Sequence, residues 1–332
     1  MANNEINAEV VFDGTVGLPS ALPGPDFHIP AEFGHLEGIN LFHSFNQFNL
    51  IKDESATFSG PDSVQNIIGR ITSGARSSID GKLRSTIPQV NLYLFNPDGF
   101  IFGPNARLDI GGSLHISTAS VLNLGEGGRF DTRDPAQSVF VSAPPVAFGF
   151  LDPEPATIEI QKSNLSVAET KTLSLSAGKI DIDQGRLEAV LGRVNLIGVK
   201  QAEELKMTAE GPIVEAGAQL GEVVLKNGAS IDVGKQNSGK VFIRSGQFVL
   251  ENKSDITGNT FSEPEGGITI EVDELFLNDA KIDTRTFGTA QGGKIIIQVT
   301  GAVLLIDSEV LTTSLAPETE AGKAGDIVLT AQ

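Results

Sequence analysis

The chain has 332 residues, with 24 Lys and Arg against 42 Asp and Glu, a formal charge of −18. So acidic a chain is excluded from the nucleic-acid binders by its electrostatics, and the absence of cysteine excludes disulfides and thiolate metal sites. No apolar run approaches the ~18 residues of a membrane helix, while 37 glycines beside 19 Phe, one Tyr and no Trp point to a core of aliphatics and Phe turned by tight bends.

Ile6, Val10, Val11 and Phe12 predict a first strand, with Asp13-Gly14 as its turn. Residues 17 to 34 carry Pro19, Pro23, Pro25 and Pro30 and read as irregular. Val64, Ile67, Ile68 and Ile71 fit either a helical face or a short strand, and Gly69 weakens the helix. The reading taken is a strand or a single turn. Residues 91 to 119 are the most informative stretch. Leu92, Leu94 and Phe95 stop at Asn96-Pro97-Asp98-Gly99; Phe100, Ile101 and Phe102 stop at Gly103-Pro104-Asn105; Leu108 and Ile110 stop at Gly111-Gly112. Bends this frequent, without the Asn-Gly or Gly-X pairs of two-residue hairpins, predict a chain wound into a coil. Residues 130 to 156 interrupt the pattern with two apolar runs about Pro144-Pro145, expected to form a strand pair outside the coil or a loop over one face.

A repeat emerges in the last third. Val223-Val224-Leu225, Phe248-Val249-Leu250, Leu275-Phe276-Leu277 and Leu304-Leu305-Ile306 each run into a turn residue, and Asn227, Asn252, Asn278 and Asp307 follow one another at 25, 26 and 29 residues. Glycine-led triplets precede the later copies: Gly239 before Val241-Phe242-Ile243, Gly267 before Ile268-Thr269-Ile270, Gly293 before Ile295-Ile296-Ile297, and Gly325 before Ile327-Val328-Leu329. A period in this range indicates a solenoid, each repeat a triangular rung stacked ~4.8 Å from the next. Alternation then sends Val241, Ile243, Ile268, Ile270, Ile295 and Ile297 inward and Phe242, Thr269 and Ile296 outward. Asn227, Asn252 and Asn278 are expected to stack as structural corner residues, since Asn tolerates the left-handed conformation. A coil leaves unpaired backbone at its ends, so residues 1–60 are expected to cap it, with the coil at 61–220 and regular rungs over 221–332. The repeat still runs at Gln332, which suggests the N-terminal part of a longer protein.

Side chains that could do chemistry are sparse. His28, His35, His43 and His115 have no ligand-like spacing and read as surface or turn histidines, so no metal or cofactor is implied. Asp232 and Asp283 are expected to flank Thr257 on an outer face. They read as the solvated half of an alternating strand, with a calcium site or the acids of a polysaccharide-cleaving β-helix as the alternative.

Asn96-Pro97-Asp98-Gly99 with the following FIFGPNARLDIGGSLHISTA resembles the core motif of the two-partner secretion domain found in filamentous-haemagglutinin-like exoproteins. Phe42-His43-Ser44-Phe45-Asn46 resembles that family's upstream F-x-x-F element, and Asn66 to Thr72 with Ile79-Asp80-Gly81 resembles the segment between. Asp98 stands where Asn is commoner. The resemblance spans roughly residues 10 to 150. It implies an all-β, right-handed parallel β-helix with an N-terminal cap and a non-enzymatic role: an exported, monomeric adhesin module recognised by the POTRA domains of an outer-membrane TpsB-type transporter. Phe45, Asn46, Asn66, Arg70, Asn96, Pro97, Asp98, Gly99 and Asn105 are then the residues expected to nucleate the fold or present it to the transporter. Lack of cysteine suits transit in an unfolded state. Met1 to Glu5 has neither a basic nor an apolar signal region, so the resemblance implies a mature sequence restarted with Met-Ala, passing through a Gram-negative-type periplasm to the cell surface. Any host or neighbouring-cell ligand would be met by a downstream region. The rival of another class is a β-helix protein that binds or degrades polysaccharide.

Overall fold

The computed structural model describes residues 9–208, 211–215, 217–234, 239–260, 266–287, 289, 291–315 and 322–331. Ile6, placed in the first strand by its sequence, lies outside the described residues; the strand itself is Glu9–Phe12. Among the described residues there is no α-helix, and the strands wind into a three-faced parallel β-helix. One rung runs Asn66–Ile71, Ser77–Ile79 and Lys82–Ser85; the next runs Asn91–Phe95, Phe100–Phe102 and Arg107–Asp109, each strand pairing in parallel with its predecessor. The ambiguous segment is therefore a strand. Gly69 is what lets it be one here, because a Cβ there would sit 2.6 Å from the Leu94 side chain of the next rung.

Burial arises between rungs. On the first face Leu196, Ile243, Ile270 and Ile297 stack as one inward column. Ile182, Leu225, Leu250 and Leu277 do so on the second, and Leu165, Leu187, Ile231, Ile256 and Ile282 on the third. All are at most 2 % exposed. Each such side chain contributes about 1.5–3 kcal/mol on burial as an upper figure, and none of it is realised until a neighbouring rung is in place. Phe242, Thr269 and Ile296 form the alternate, half-buried outer column.

At the N-terminal end, Glu9–Phe12 and His35–Glu37 pair antiparallel with Asn40–Asn49, whose other edge is paired in parallel with Asn66–Ile71. The backbone edge of the first rung is thus covered. Against one flank lies an antiparallel sheet in the order Arg129–Asp131, Val121–Leu124, Pro145–Phe150, the end of Arg193–Thr208, and Gly211–Val214. It is larger than the pair expected near residues 130 to 156, because Arg193–Thr208 leaves the coil. That strand pairs in parallel up to Gly198 and antiparallel with Pro145–Phe150 from Ala202 onward. Phe130, Phe148, Phe150 and Leu205 of this lateral sheet close over Phe42, Ile68, Tyr93 and Phe95 on the outer side of the first face, making a second core.

The two cores correct the reading of two histidines, His43 on the interior side and His115 on the side of the lateral sheet. Successive residues of Asn40–Asn49 point to opposite sides, yet all from Asn40 to Phe45 are buried, because both sides are covered. His43 sits among Phe12, Phe45 and Phe58. His115 stacks on Tyr93 with ring centroids 4.4 Å apart. Neither is a free surface or turn residue. Burial pushes His43 down to about 3 and His115 down to about 4, so both are neutral imidazoles at physiological pH.

Candidate recognition site

The Asn96–Gly99 turn closes on itself and on two other rungs. The Asn96 carbonyl accepts from the Gly99 N–H at 3.0 Å, and its Oδ1 accepts from the Asp98 N–H at 3.0 Å, an Asx-type turn. The same amide donates from Nδ2 to the Ala75 carbonyl and the Ser77 hydroxyl at 3.0 and 3.1 Å. Gly99 has φ +103°, and a Cβ there would lie 2.7 Å from the Thr157 carbonyl oxygen, so glycine is required twice over. Asn96, Pro97 and Gly99 are buried. Asp98 is half-buried and pairs with Arg133 at 3.2 Å; Arg133 also pairs with Asp152 at 3.1 Å, latching the turn to the lateral excursion.

Asn66 belongs to a ladder. Its Nδ2 donates to Asn40 Oδ1 at 2.9 Å, and Asn91 Nδ2 donates to Asn66 Oδ1 at 3.1 Å. The Asn40 amide ends the ladder by donating to the carbonyls of Val141 and Ala143, and Asn91 Oδ1 accepts the Ser113 N–H. Neither Asn40 nor Asn91 stood out in the sequence. Their signal was there all the same: they lie 26 residues before and 25 after Asn66, the period of the later repeat.

Arg70 is fully buried and unites three separate segments. Nε donates to the Ser44 hydroxyl and Nη2 to the Thr15 hydroxyl, both at 2.7 Å; Nη1 donates to the Asp131 carbonyl and to the Ser138 hydroxyl at 2.6 Å. The guanidinium lies 4.1 Å from the centre of the Phe130 ring. Burial pushes Arg70 down to about 10, opposed by the charges of Asp13 and Asp131, and it stays cationic at neutral pH. Asp13 is pushed up by its own burial. Hydrogen bonds from Ser44, from both groups of Thr15 and from Thr72 outweigh that and hold it below the usual carboxylate range. Asp13, Thr15, Ser44, Asp131 and Ser138 were missed from sequence because they lie up to 68 residues from Arg70.

Phe45 is buried in the cluster of Phe12, Phe48 and Phe58. Asn46 follows it at a β-bulge: Phe12 pairs with Phe45 and Val11 with Gln47, leaving Asn46 unpaired and exposed. Asn105, half-buried, donates from its backbone N–H and its Nδ2 to the Asp80 carboxylate at 2.7 and 2.9 Å. The nine residues therefore occupy consecutive rungs beneath the cap, with Arg70 the ladder partner of both Ser44 and Phe95, the neighbour of Asn96. Asn46 alone among the nine is exposed, with Asp98 and Asn105 half-buried.

The corner ladder differs from its expected membership. Asn252 Nδ2 donates to Asn227 Oδ1 at 3.2 Å and Asn227 Nδ2 to Asp183 Oδ1 at 3.0 Å, both Asn residues having φ near +60°. At the next rung the positive φ belongs to Asp279, at 49°, so Asn278 supplies its backbone carbonyl to the Asn252 N–H instead of an amide. On the third face Thr257 does lie between Asp232 and Asp283. Asp232 pairs with Arg186 at 2.8 Å and Asp283 with Arg285, so each acid has its own base; Asp283 is nevertheless buried, not solvated as its alternation predicts. Among the described residues no group of His, Asp and Glu is arranged to hold a metal ion.

A family model described as the TPS secretion domain matches residues 28–241. No curated protein matches the chain. Among solved structures, the HMW1 secretion domain from Haemophilus influenzae is 14% identical, covers 97% of each chain and has a TM-score of 0.45. The filamentous hemagglutinin secretion domain is 16% identical, covers 98% of each chain and has the same TM-score.

Proposed function

The chain belongs to the TPS secretion domain family, and from that premise we propose that it docks on the periplasmic POTRA domains of its outer-membrane TpsB-type transporter and then seeds β-helix folding at the cell surface. Two-partner secretion is the export route of this family, which serves adhesin-like exoproteins. In this reading the module needs no cofactor and catalyses nothing. Residues 1–60 cap the coil and contribute Phe45 and Asn46, 61–220 form the secretion-domain coil with its lateral excursion and the remaining recognition elements, and 221–332 supply regular rungs.

One observation carries the reading. The residues that mark the family motif, Asn96, Pro97 and Gly99, are buried in the finished fold. A transporter that reads them must meet the chain before the coil closes; once it closes, the same groups serve the fold. Folding outside then opposes return, since each completed rung buries apolar surface that an unfolded strand in transit exposes.

The test is a pull-down with the periplasmic part of the transporter encoded beside this protein. Chain freshly diluted from urea is expected to bind, and the prefolded protein to bind at least about tenfold more weakly, a difference of about 1.4 kcal/mol. Asn96→Ala, once folded, leaves the exposed surface almost unchanged. Its loss of binding is therefore expected only for the unfolded chain. Binding at background level by both forms of the wild type overturns the reading.

A further inference from the structure

Where the lateral sheet overhangs the coil, a cleft of about 450 Å³ opens between the Met207–Pro212 pair and the outer side of the first face. Its floor is one residue from each of three successive rungs: His115, Ser174 and Asn195 are direct ladder neighbours. The inward residues of these three rungs, Leu114, Ile116, Leu173, Leu175, Val194 and Leu196, are aliphatic, and the outer column one rung earlier is the aromatic Tyr93. In this window the outer column is polar on three successive rungs, before Phe242 ends the run; further on a single Thr269 is flanked by Phe242 and Ile296. Asn195 is 5 % exposed and its Oδ1 has no hydrogen-bond partner; His115 Nδ1 has none either. Unpartnered buried polar atoms cost about 1–3 kcal/mol each, so a stretch of coil under selection for stability alone would be expected to fill these positions with apolar side chains such as Tyr93 and Phe242. The volume falls in the range of small-ligand sites.

We propose that this cleft binds a short saccharide. The floor offers an imidazole, a hydroxyl and an amide, groups that both give and accept hydrogen bonds, as sugar hydroxyls do. Burial keeps the imidazole uncharged, and the fixed charges of the lining, Arg193 and Lys240, stand beside the floor on the ladder of Thr172, where they can also donate to sugar hydroxyls. With rungs ~4.8 Å apart, the three polar groups span about 10 Å, the length of a disaccharide. Met207 and Pro212 supply an apolar roof for the C–H face of a pyranose ring. The site is distinct from the Asn96–Gly99 turn and is complete only when the lateral sheet is docked, so the ligand belongs to the folded, surface-displayed protein. The inference does not depend on how the transporter is recognised.

Amide spectra of the folded, isotope-labelled protein, titrated to millimolar concentrations of maltose, cellobiose and N,N′-diacetylchitobiose, test this directly. At least one disaccharide is expected to shift the signals of His115, Ser174 and Asn195 together, and Asn195→Leu to weaken that binding by about tenfold, the loss of one buried hydrogen bond. Shifts absent from all three residues, or confined to other parts of the surface, overturn the proposal and leave the cleft to ordered water. Equal affinity of a folded Asn195→Leu variant overturns it too. Should that variant fail to fold, the wild-type shift map decides alone.

Discussion

His43 shows how much a single position depends on what covers it. A histidine with both ring nitrogens in an aromatic cluster is tolerable only as the neutral form, and burial holds it at about 3 against an ordinary value near 6.5. Protons therefore bind the unfolded chain more readily. Stability is whole above the unfolded value near 6.5 and is lost as pH falls towards 3, with His115 adding to the loss down to about 4. Asp13, also held below its ordinary value, contributes stability that disappears only at the acid end of that range. The urea midpoint is expected to be flat from pH 8 to about 7 and to fall steadily below about 6.5. In His43→Leu the slope between pH 6 and 4 is expected to flatten visibly; an unchanged slope would show that His43 does not carry it. None of this was legible in the sequence. Phe42-His43-Ser44 carries no mark of being covered on both sides, and the covering residues, Phe12 on one side and Phe130 on the other, come from distant segments. Arg70 was singled out by its motif, but its burial was equally hidden, since Thr15, Ser44 and Asp131 are ordinary surface residues in any local reading.

Among elements, legibility followed locality. The Asn96–Gly99 turn and the glycine-led triplets were readable because Pro, Gly and Asn fix backbone geometry within four residues. The lateral sheet was only half readable. Its first strands sit in a Pro-rich interruption, whereas Arg193–Thr208 passes from parallel to antiparallel pairing in one extended run, and a period of two looks the same in both. Gly99 gives the sharpest test at this scale. Gly99→Ala must hold a positive φ and place a methyl group 2.7 Å from the Thr157 carbonyl, which belongs to a strand beyond the lateral excursion. A loss of about 2 kcal/mol or more is expected, with the refolding rate falling if this turn belongs to the nucleus. Refolding at the wild-type rate, with only unfolding accelerated, would remove the turn from the nucleus and leave it a late structural corner.

Taken whole, the molecule is a one-dimensional stack, and its stability should behave as one. Ile270 lies between Ile243 of the preceding rung and Ile297 of the following one, all three at most 2 % exposed. It touches little that is near in sequence; its neighbours in space are one full turn away on either side. Truncation to Ala removes a fully buried branched side chain and costs about 2–5 kcal/mol, depending on how far the stack can close the gap. In a globular core that cost would spread through the domain. Here it should weaken the interfaces on both sides of one rung and leave distant ones alone. Hydrogen exchange in Ile270→Ala is therefore expected to quicken in Lys240–Glu251, Gly267–Asn278 and Lys294–Val299, while Asn66–Ile71 and Asn91–Phe95 beneath the cap keep their protection. The asymmetry matters for export. A chain that folds rung upon rung from a capped end needs only its first turns to be secure before the rest can follow, and the buried Asn ladder and the Arg70 clamp lie in those turns. Uniform acceleration across all five strands would mean that the rungs rise and fall together, and a stepwise seeding from the capped end would lose its physical basis.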